Sequence, residues 1–278
     1  VQAFDAVVDD DPERRLTYVE FVTTVGFAWF ADRAVDLGVI EVGLGGRLDA
    51  TNVVQSAVSV VASSALEHTA YLGDTLEMLA TEKAAILKPG GTLVTGDMAP
   101  EAAAVMEARA AELEAPHLAH GREFRLVDEV QAVGGWDISV DGVYEQYDEI
   151  HVPIHGRHQL RNAAVAIAAT EALLGRALDP DAVREGFANV TLPGRLEVVG
   201  RRPLVVLDGA HTLESMAAGA GALDEEFPPF LWKVVLGALA DKKLDELVET
   251  LSGIAGEVLA VTAPSQRGIP DSEVAAGA

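Results

Sequence analysis

Six short apolar runs recur along the chain: VDLGVIEV (35–42), VSVVA (58–62), TLVT (92–95), LVVLD (204–208), KVVL (233–236) and VLAV (258–261). Each is too short and too uniformly apolar for an amphipathic helix, and together they read as buried strands. Strands that run parallel need a crossover of a dozen or more residues, usually a helix. The intervening segments supply these. Residues 74–87 read as a helix with Asp74 as N-cap and Glu77 at the capping-box position. Residues 100–113, 160–174, 180–189, 213–223 and 244–251 read as further helices. This alternation restricts the chain to the α/β class, with a doubly wound, mostly parallel sheet.

Two stretches interrupt the pattern. Residues 124–154 alternate polar with apolar and carry turn signals at Gly134-Gly135 and Asp141-Gly142, which reads as an antiparallel insertion or edge. Pro193-Gly194 ends the helical run and marks a domain boundary. The expected domains are therefore 1–192 and a smaller Rossmann-like α/β unit at 193–278. A length of 278 residues suits about two domains. No internal repeat or low-complexity tract is present.

Composition narrows the function. Twenty basic residues against 44 acidic ones give a net charge of −24. That argues against a nucleic-acid surface or a membrane patch. Lysine occurs only at 83, 88, 233, 242 and 243. An acidic, lysine-poor surface suits high salt, where self-repulsion is screened, but an ordinary acidic protein has the same look. The absence of cysteine excludes disulfides, thiol nucleophiles and thiolate metal sites. No apolar stretch reaches membrane-spanning length, and no basic-then-apolar leader opens the chain, so a cytoplasmic protein is expected. A start at Val1 and an end at AAGA suggest that both ends are cut.

The segment EVGLGGRLDATN (41–52) is a glycine cluster after an apolar run. It fits neither G-x-x-x-x-G-K-[ST] nor G-x-G-x-x-G, so it is not a phosphate loop. A tight turn explains the glycines but not Glu41, a carboxylate where open α/β sheets place their ligands. His68 is expected at the same sheet edge. Lys83 lies late in the helix at 74–87 among Ala80, Ala84, Ala85, Ile86 and Leu87, so part of its stem is expected to be buried. A partly buried amine is deprotonated more easily. In GRHQLRNAAVAIAA (156–169), Gln159 and Asn162 sit at a helix start. LPGRLEVV carries Arg195 at the boundary, and VVLDGAHT carries Asp208 and His211 at a strand end. Taken singly, each has a structural explanation as a cap, a salt bridge or a core polar group.

Their order resembles the folylpolyglutamate synthase and dihydrofolate synthase family of the Mur-ligase superfamily. The resemblance runs from about Thr17 to Pro270, strongest in EVGLGGRLDATN and H-x14-K-A-A-I and supported by LPGRLE and DGAH. It implies an ATP-dependent ligase that forms an amide between L-glutamate and dihydropteroate or folate through an acyl phosphate. It implies that Glu41 and His68 are magnesium ligands and that Lys83 is carried as a carbamate, holding one of two ions. It implies that Asn162, Arg195 and Asp208 contact the nucleotide. Lys83, Arg195 and His211 are then the catalytic residues. Thr17, Tyr18, Val19 and Glu20, with Leu48, Asp49 and Ala50, are the implied pterin-side contacts. The implied partners are these small molecules, with the protein a monomer. The chain departs from the pattern in three ways. The family's GTNGKGS phosphate loop does not occur and would lie upstream of Val1, Glu67 stands where many members have Asp, and DGAHTL replaces DGAHNP. A fragment inactive by itself is therefore expected. The competing readings are a Mur-type cell-wall ligase and a non-catalytic pterin-binding remnant.

Overall fold

The computed structural model describes residues 16–63, 75–227, 229–240 and 244–277. The protein is α/β. It divides into two compact units, the described residues up to 93 with 98–117, and residues 94–97 with those from 118 onward.

The first unit opens with α1 (Tyr18–Arg33), started by a reciprocal cap. Thr17 Oγ1 accepts from the Glu20 amide at 3.2 Å, and Glu20 Oε2 accepts from the Thr17 amide at 2.7 Å. The helix stops where Ala34 takes the left-handed conformation, φ 49°. The apolar run 35–42 that follows is not the buried strand its composition suggests. It is irregular, and Val35, Leu37 and Val39 are exposed. Apolar composition makes a strand only where a neighbouring strand takes up its backbone hydrogen bonds, and no strand pairs with it among the described residues.

A single 3₁₀ turn at Ala50–Val53 leads to β1 (Val58–Val61). Helix α2 (Leu76–Ala84), β2 (Thr92–Thr95), α3 (Pro100–Glu112) and β3 (His117–Ala119) follow. The sheet order is β1-β2-β3, so each step passes through a helix, as βαβ units require. The cap of α2 differs from expectation. Thr75 is the N-cap, accepting from Met78 N at 3.2 Å, which puts Glu77 in the first turn without a capping box. Asp74 lies outside the described residues. Ala80, Ala84 and Leu87 pack with Leu93, Ala102, Met106 and Ala110 into one apolar cluster. The small side chains let α2 and α3 come close.

In the second unit β4 (Arg125–Ala132), β5 (Gly135–Asp141) and β6 (Gln146–Val152) form the expected antiparallel meander. Helix α4 (Arg157–Leu174) packs against β4 and β5, and α5 (Pro180–Ala188) against β6. The tight turn after β5 is fixed by Glu171 of α4. Its fully buried carboxylate accepts from Val143 N at 2.6 Å, Tyr144 N at 3.2 Å and the Tyr147 hydroxyl at 2.7 Å. Burial, opposed by the Leu178 amide and reinforced by Glu171, pushes the Tyr147 phenol up to about 12.

Beyond Pro193-Gly194, β7 (Glu197–Arg201) pairs antiparallel with β8 (Leu204–Leu207). Helix α6 (Leu213–Glu226) precedes β9 (Trp232–Leu236), and α7 (Leu244–Leu251) precedes β10 (Ala255–Ala260). β9 and β10 pair in parallel. Helix α8 (Asp271–Gly277) brings Val274 into a cluster with Met216, Leu236, Leu247, Leu251 and Ile254. Among the described residues no helix is long and apolar enough to cross a membrane.

Candidate active site

In the first unit the glycine turn is a docking element. A Cβ on Gly46 would stand 2.6 Å from Glu82 O, 2.9 Å from Ile86 Cγ2 and 3.3 Å from Lys83 Cα, so only glycine fits. Arg47 N donates to Glu82 O at 3.0 Å, and the Arg47 guanidinium grips the Glu82 carboxylate at 2.9 Å. Asn52 Nδ2 donates to Arg47 O at 3.0 Å. These contacts bind the 41–52 segment to the stretch of α2 that carries Lys83.

Asp49 organises the turn from inside. Its Oδ2 accepts from Gly43 N at 3.1 Å and Leu44 N at 2.9 Å, and its Oδ1 from Thr51 N at 2.9 Å and Thr51 Oγ1 at 2.6 Å. Desolvation pushes this carboxyl up, but the bonds from Thr51, Leu44 and Gly43 outweigh it and hold it below the usual range. Leu48 is exposed and Ala50 half-buried. Thr17 and Glu20 spend their polar atoms on each other, and the Thr17 bonds lower the Glu20 carboxyl. Tyr18 and Val19 are exposed. The T-x-x-E spacing of TYVE is a capping-box signal, legible from the sequence but outranked there by the family resemblance.

Glu41 and Lys83 are different. Among the described residues neither side chain has a hydrogen bond or ion pair. Glu41 is exposed and lines a cavity of about 150 Å³ with Thr23, Phe27, Phe30, Ile40 and Thr51. Lys83 is half-buried in the last turn of α2. His68 lies outside the described residues. Among those described, no cluster of three or more His, Asp or Glu could hold a metal ion.

In the second unit Arg195 and Asp208 meet at one joint. Asp208 Oδ2 accepts from Leu196 N at 2.8 Å and Oδ1 from Ala210 N at 2.8 Å, while Gly209 N donates to Gly194 O at 2.8 Å. A Cβ on Gly209 would lie 2.7 Å from an Arg195 guanidinium nitrogen, so the arginine lies over this glycine. His211 Nδ1 is 2.9 Å from Gly209 O, and the Thr212 cap of α6 follows at once. Asn162 is exposed on α4, its Nδ2 donating to Gln159 Oε1 at 3.0 Å, so the two amides orient each other.

Sequence reasoning missed His158. Burial holds its imidazole below the usual range, with Arg161 and Arg195 adding to this, while Asp208 and Glu226 pull the other way. The imidazole therefore lies in the electrostatic field of the Arg195–Asp208 joint. The signal was available in GRHQLRN, one position before Gln159.

Residues 194–278 match the Mur ligase, glutamate ligase domain family. The dihydrofolate synthase/folylpolyglutamate synthase of Mycobacterium tuberculosis is 37% identical over 260 residues, covering 90% of this chain and 53% of its own. The chain thus spans about half the length of that relative. Among solved structures, the M. tuberculosis folylpolyglutamate synthase complexed with ADP superposes with a TM-score of 0.89 at 37% identity, over 94% of this chain and 59% of that one. The apo form of the L. casei synthase superposes with a TM-score of 0.85 at 31% identity, over 99% and 68% respectively.

Proposed function

The chain belongs to the folylpolyglutamate synthase and dihydrofolate synthase family, and from that premise we propose that it is the body of an ATP-dependent carbon–nitrogen ligase. Its substrates are ATP, L-glutamate and a pterin acid, either dihydropteroate or folate. The substrate carboxylate attacks the γ-phosphorus of ATP and ADP leaves, giving an acyl phosphate. The glutamate amine then attacks the acyl carbon, phosphate departs and the amine proton is lost, leaving the amide. Such chemistry needs positioning and charge neutralisation more than covalent help from the protein.

One observation carries the reading. The Arg195–Asp208 joint, with His211 beside it, is bound together inside the region that matches the glutamate-ligase family. Asn162, Arg195 and Asp208 are assigned to the nucleotide, and Arg195 and His211 to the charge that develops on the transferring phosphoryl and the tetrahedral intermediate. The exposed pair Tyr18 and Val19, with Leu48 and Ala50, are assigned to the pterin side. Thr17, Glu20 and Asp49 shape that surface from behind.

The free donors suit a magnesium ion. Glu41 offers an unengaged carboxylate, and magnesium binds through one or two carboxylates with phosphate oxygens and water. His68 is the second proposed ligand. Lys83 is a cation in its ordinary form and joins the set only as a carbamate, with two oxygens. Once bound, such ions neutralise phosphate charge. In this reading the ATP-binding body is 1–192 and the glutamate-ligase domain 193–278.

The test is glutamate-dependent ADP release by the full gene product, run separately with dihydropteroate, folate and a cell-wall peptide precursor. Turnover with either pterin acid supports the reading. Turnover with the cell-wall precursor alone, or none with any acid, overturns it.

A further inference from the structure

Helix α4 begins without a cap of its own. Its N-cap is Gly156, at φ 96°, with no side chain to accept from the first amides. The acceptor comes instead from seventy positions away, where Glu226 ends α6. Glu226 Oε1 accepts from Gly156 N at 2.6 Å, and Oε2 lies 2.8 Å from His155 Nδ1, which donates to it. The Glu226 side chain is 1% exposed. A buried carboxylate is costly unless it is hydrogen-bonded and paired, and here the imidazole, the amide and the positive end of α4 supply both. The neighbours repeat the arrangement. Glu225 holds the Arg157 guanidinium at 2.7 Å, Glu129 pairs with the same arginine, and Gln131 Nε2 donates to Glu226 O at 3.2 Å. The His155 ring packs on Phe227, centroids 4.8 Å apart.

The clasp sits where it can matter for the joint. A Cβ on Gly156 would stand 2.5 Å from the His158 ring and 3.4 Å from Leu196 Cδ1. Leu196 is the residue whose amide donates to Asp208, and it follows Arg195. Helix α6 begins directly after His211 and Thr212, and its 14 residues make a rod of about 21 Å that ends on Glu226. One rigid element therefore has His211 at its start and the start of α4 at its end.

We propose that Glu226 is a positioning residue: by capping α4 from a distant part of the sequence, it keeps Asn162 and His158 in register with Arg195 and Asp208. The inference rests on the nucleotide reading of Asn162, Arg195 and Asp208. Its physical part, the register of α4 with the joint, is measurable without turnover.

The test compares Glu226→Ala with Glu226→Gln, whose amide oxygen can still accept from Gly156. Amide hydrogen exchange is read at 156–159 and at 194–196 and 208–210 in the 278-residue chain. Losing a bond to a charged, buried acceptor should speed exchange about tenfold at both places in Glu226→Ala and leave Glu226→Gln within about threefold of wild type. In the full gene product, KM for ATP should rise about tenfold with kcat within about twofold, and the glutamine variant should restore it. If Glu226→Ala does not fold, Glu226→Asp, one methylene too short to reach both partners, takes its place. Faster exchange confined to 156–159, unchanged exchange at both places, or faster exchange with an unchanged KM for ATP overturns the proposal. A wild-type gene product without ATP-dependent turnover refutes the ligase reading instead. Exchange at 194–196 and 208–210 then decides the clasp by itself, a tenfold rise upholding it and no change overturning it.

Discussion

Replacing Asp49 with alanine should loosen the glycine turn without unfolding the protein. The carboxylate takes four hydrogen bonds, from Gly43 N, Leu44 N, Thr51 N and Thr51 Oγ1. A bond to a charged acceptor contributes about 1.5–3 kcal/mol where the freed donor stays dry, and far less where water replaces the acceptor. Gly43 and Leu44 are exposed, so water takes over their amides in the variant. The Thr51 pair is half-buried and sets the cost, about 2 kcal/mol in all. That corresponds to roughly thirtyfold faster exchange of the Thr51 amide through local opening. Hydrogen exchange resolved over 43–52 is the assay. The acid dependence has a definite sign. The folded carboxyl sits below its ordinary 3.8, so its contribution is complete above that value and is lost as pH falls through the folded one. Wild-type protection of the turn should therefore decline in that acid window, while the alanine variant should show no such decline. Thr51 exchange within about threefold of wild type near neutral pH would refute this account of the turn.

Four further expectations follow from other contacts. Gly46→Ala drives a Cβ to 2.6 Å from the Glu82 carbonyl, a backbone atom that cannot step aside, and should cost about 2–3 kcal/mol by thermal or urea unfolding. Glu41→Gln in the full gene product should raise the magnesium concentration for half-maximal ligase activity about tenfold, and an unchanged titration would remove Glu41 from the ligand set. Lys83→Ala should abolish ligase activity and regain part of it when small carboxylates are added, whereas full activity without them would end the carbamate assignment. Raising potassium chloride from 0.1 to 1 M shortens the screening length from about 10 to about 3 Å and should raise the melting temperature of a chain with net charge −24. A fall would show that attractive pairs outweigh repulsion.

Much of the scaffold was legible because it depends on local pattern. The runs read at 58–62, 92–95 and 233–236 hold the strands Val58–Val61, Thr92–Thr95 and Trp232–Leu236, and Asp141-Gly142 became the turn after β5. Three features beyond the reach of local pattern share one cause, a partner far along the chain. The run at 35–42 is as apolar as the others, but composition does not say whether a neighbouring strand exists. Glu171 looks like a helix-surface acid and is wholly buried, because the turn it serves lies 28 residues upstream. Glu226 looks like the polar tail of a helix expected to end at 223, yet it caps another helix from 70 residues away. Caps within four residues were within reach of the sequence, as TYVE shows, and the longer ones were not.

The motif residues separate by what their polar atoms already do. Thr17, Glu20 and Asp49 stand in recognisable segments, and their oxygens are largely taken up by backbone amides and hydroxyls of the same loops. An oxygen with such bonds gains little by turning to a ligand, because it must first leave partners that would then need water. These residues shape the surface, and replacing them should act through shape. Glu41 and Lys83, and the guanidinium of Arg195, have no such engagement among the described residues. A charge left unpaired and wholly or partly exposed beside a cavity or a glycine is poorly placed for stability and well placed for a charged substrate. The division also explains why identical motif membership should yield different phenotypes. Substitutions in the engaged group should shift stability and local exchange together with activity. Those in the free group should shift activity while the melting temperature stays near that of wild type.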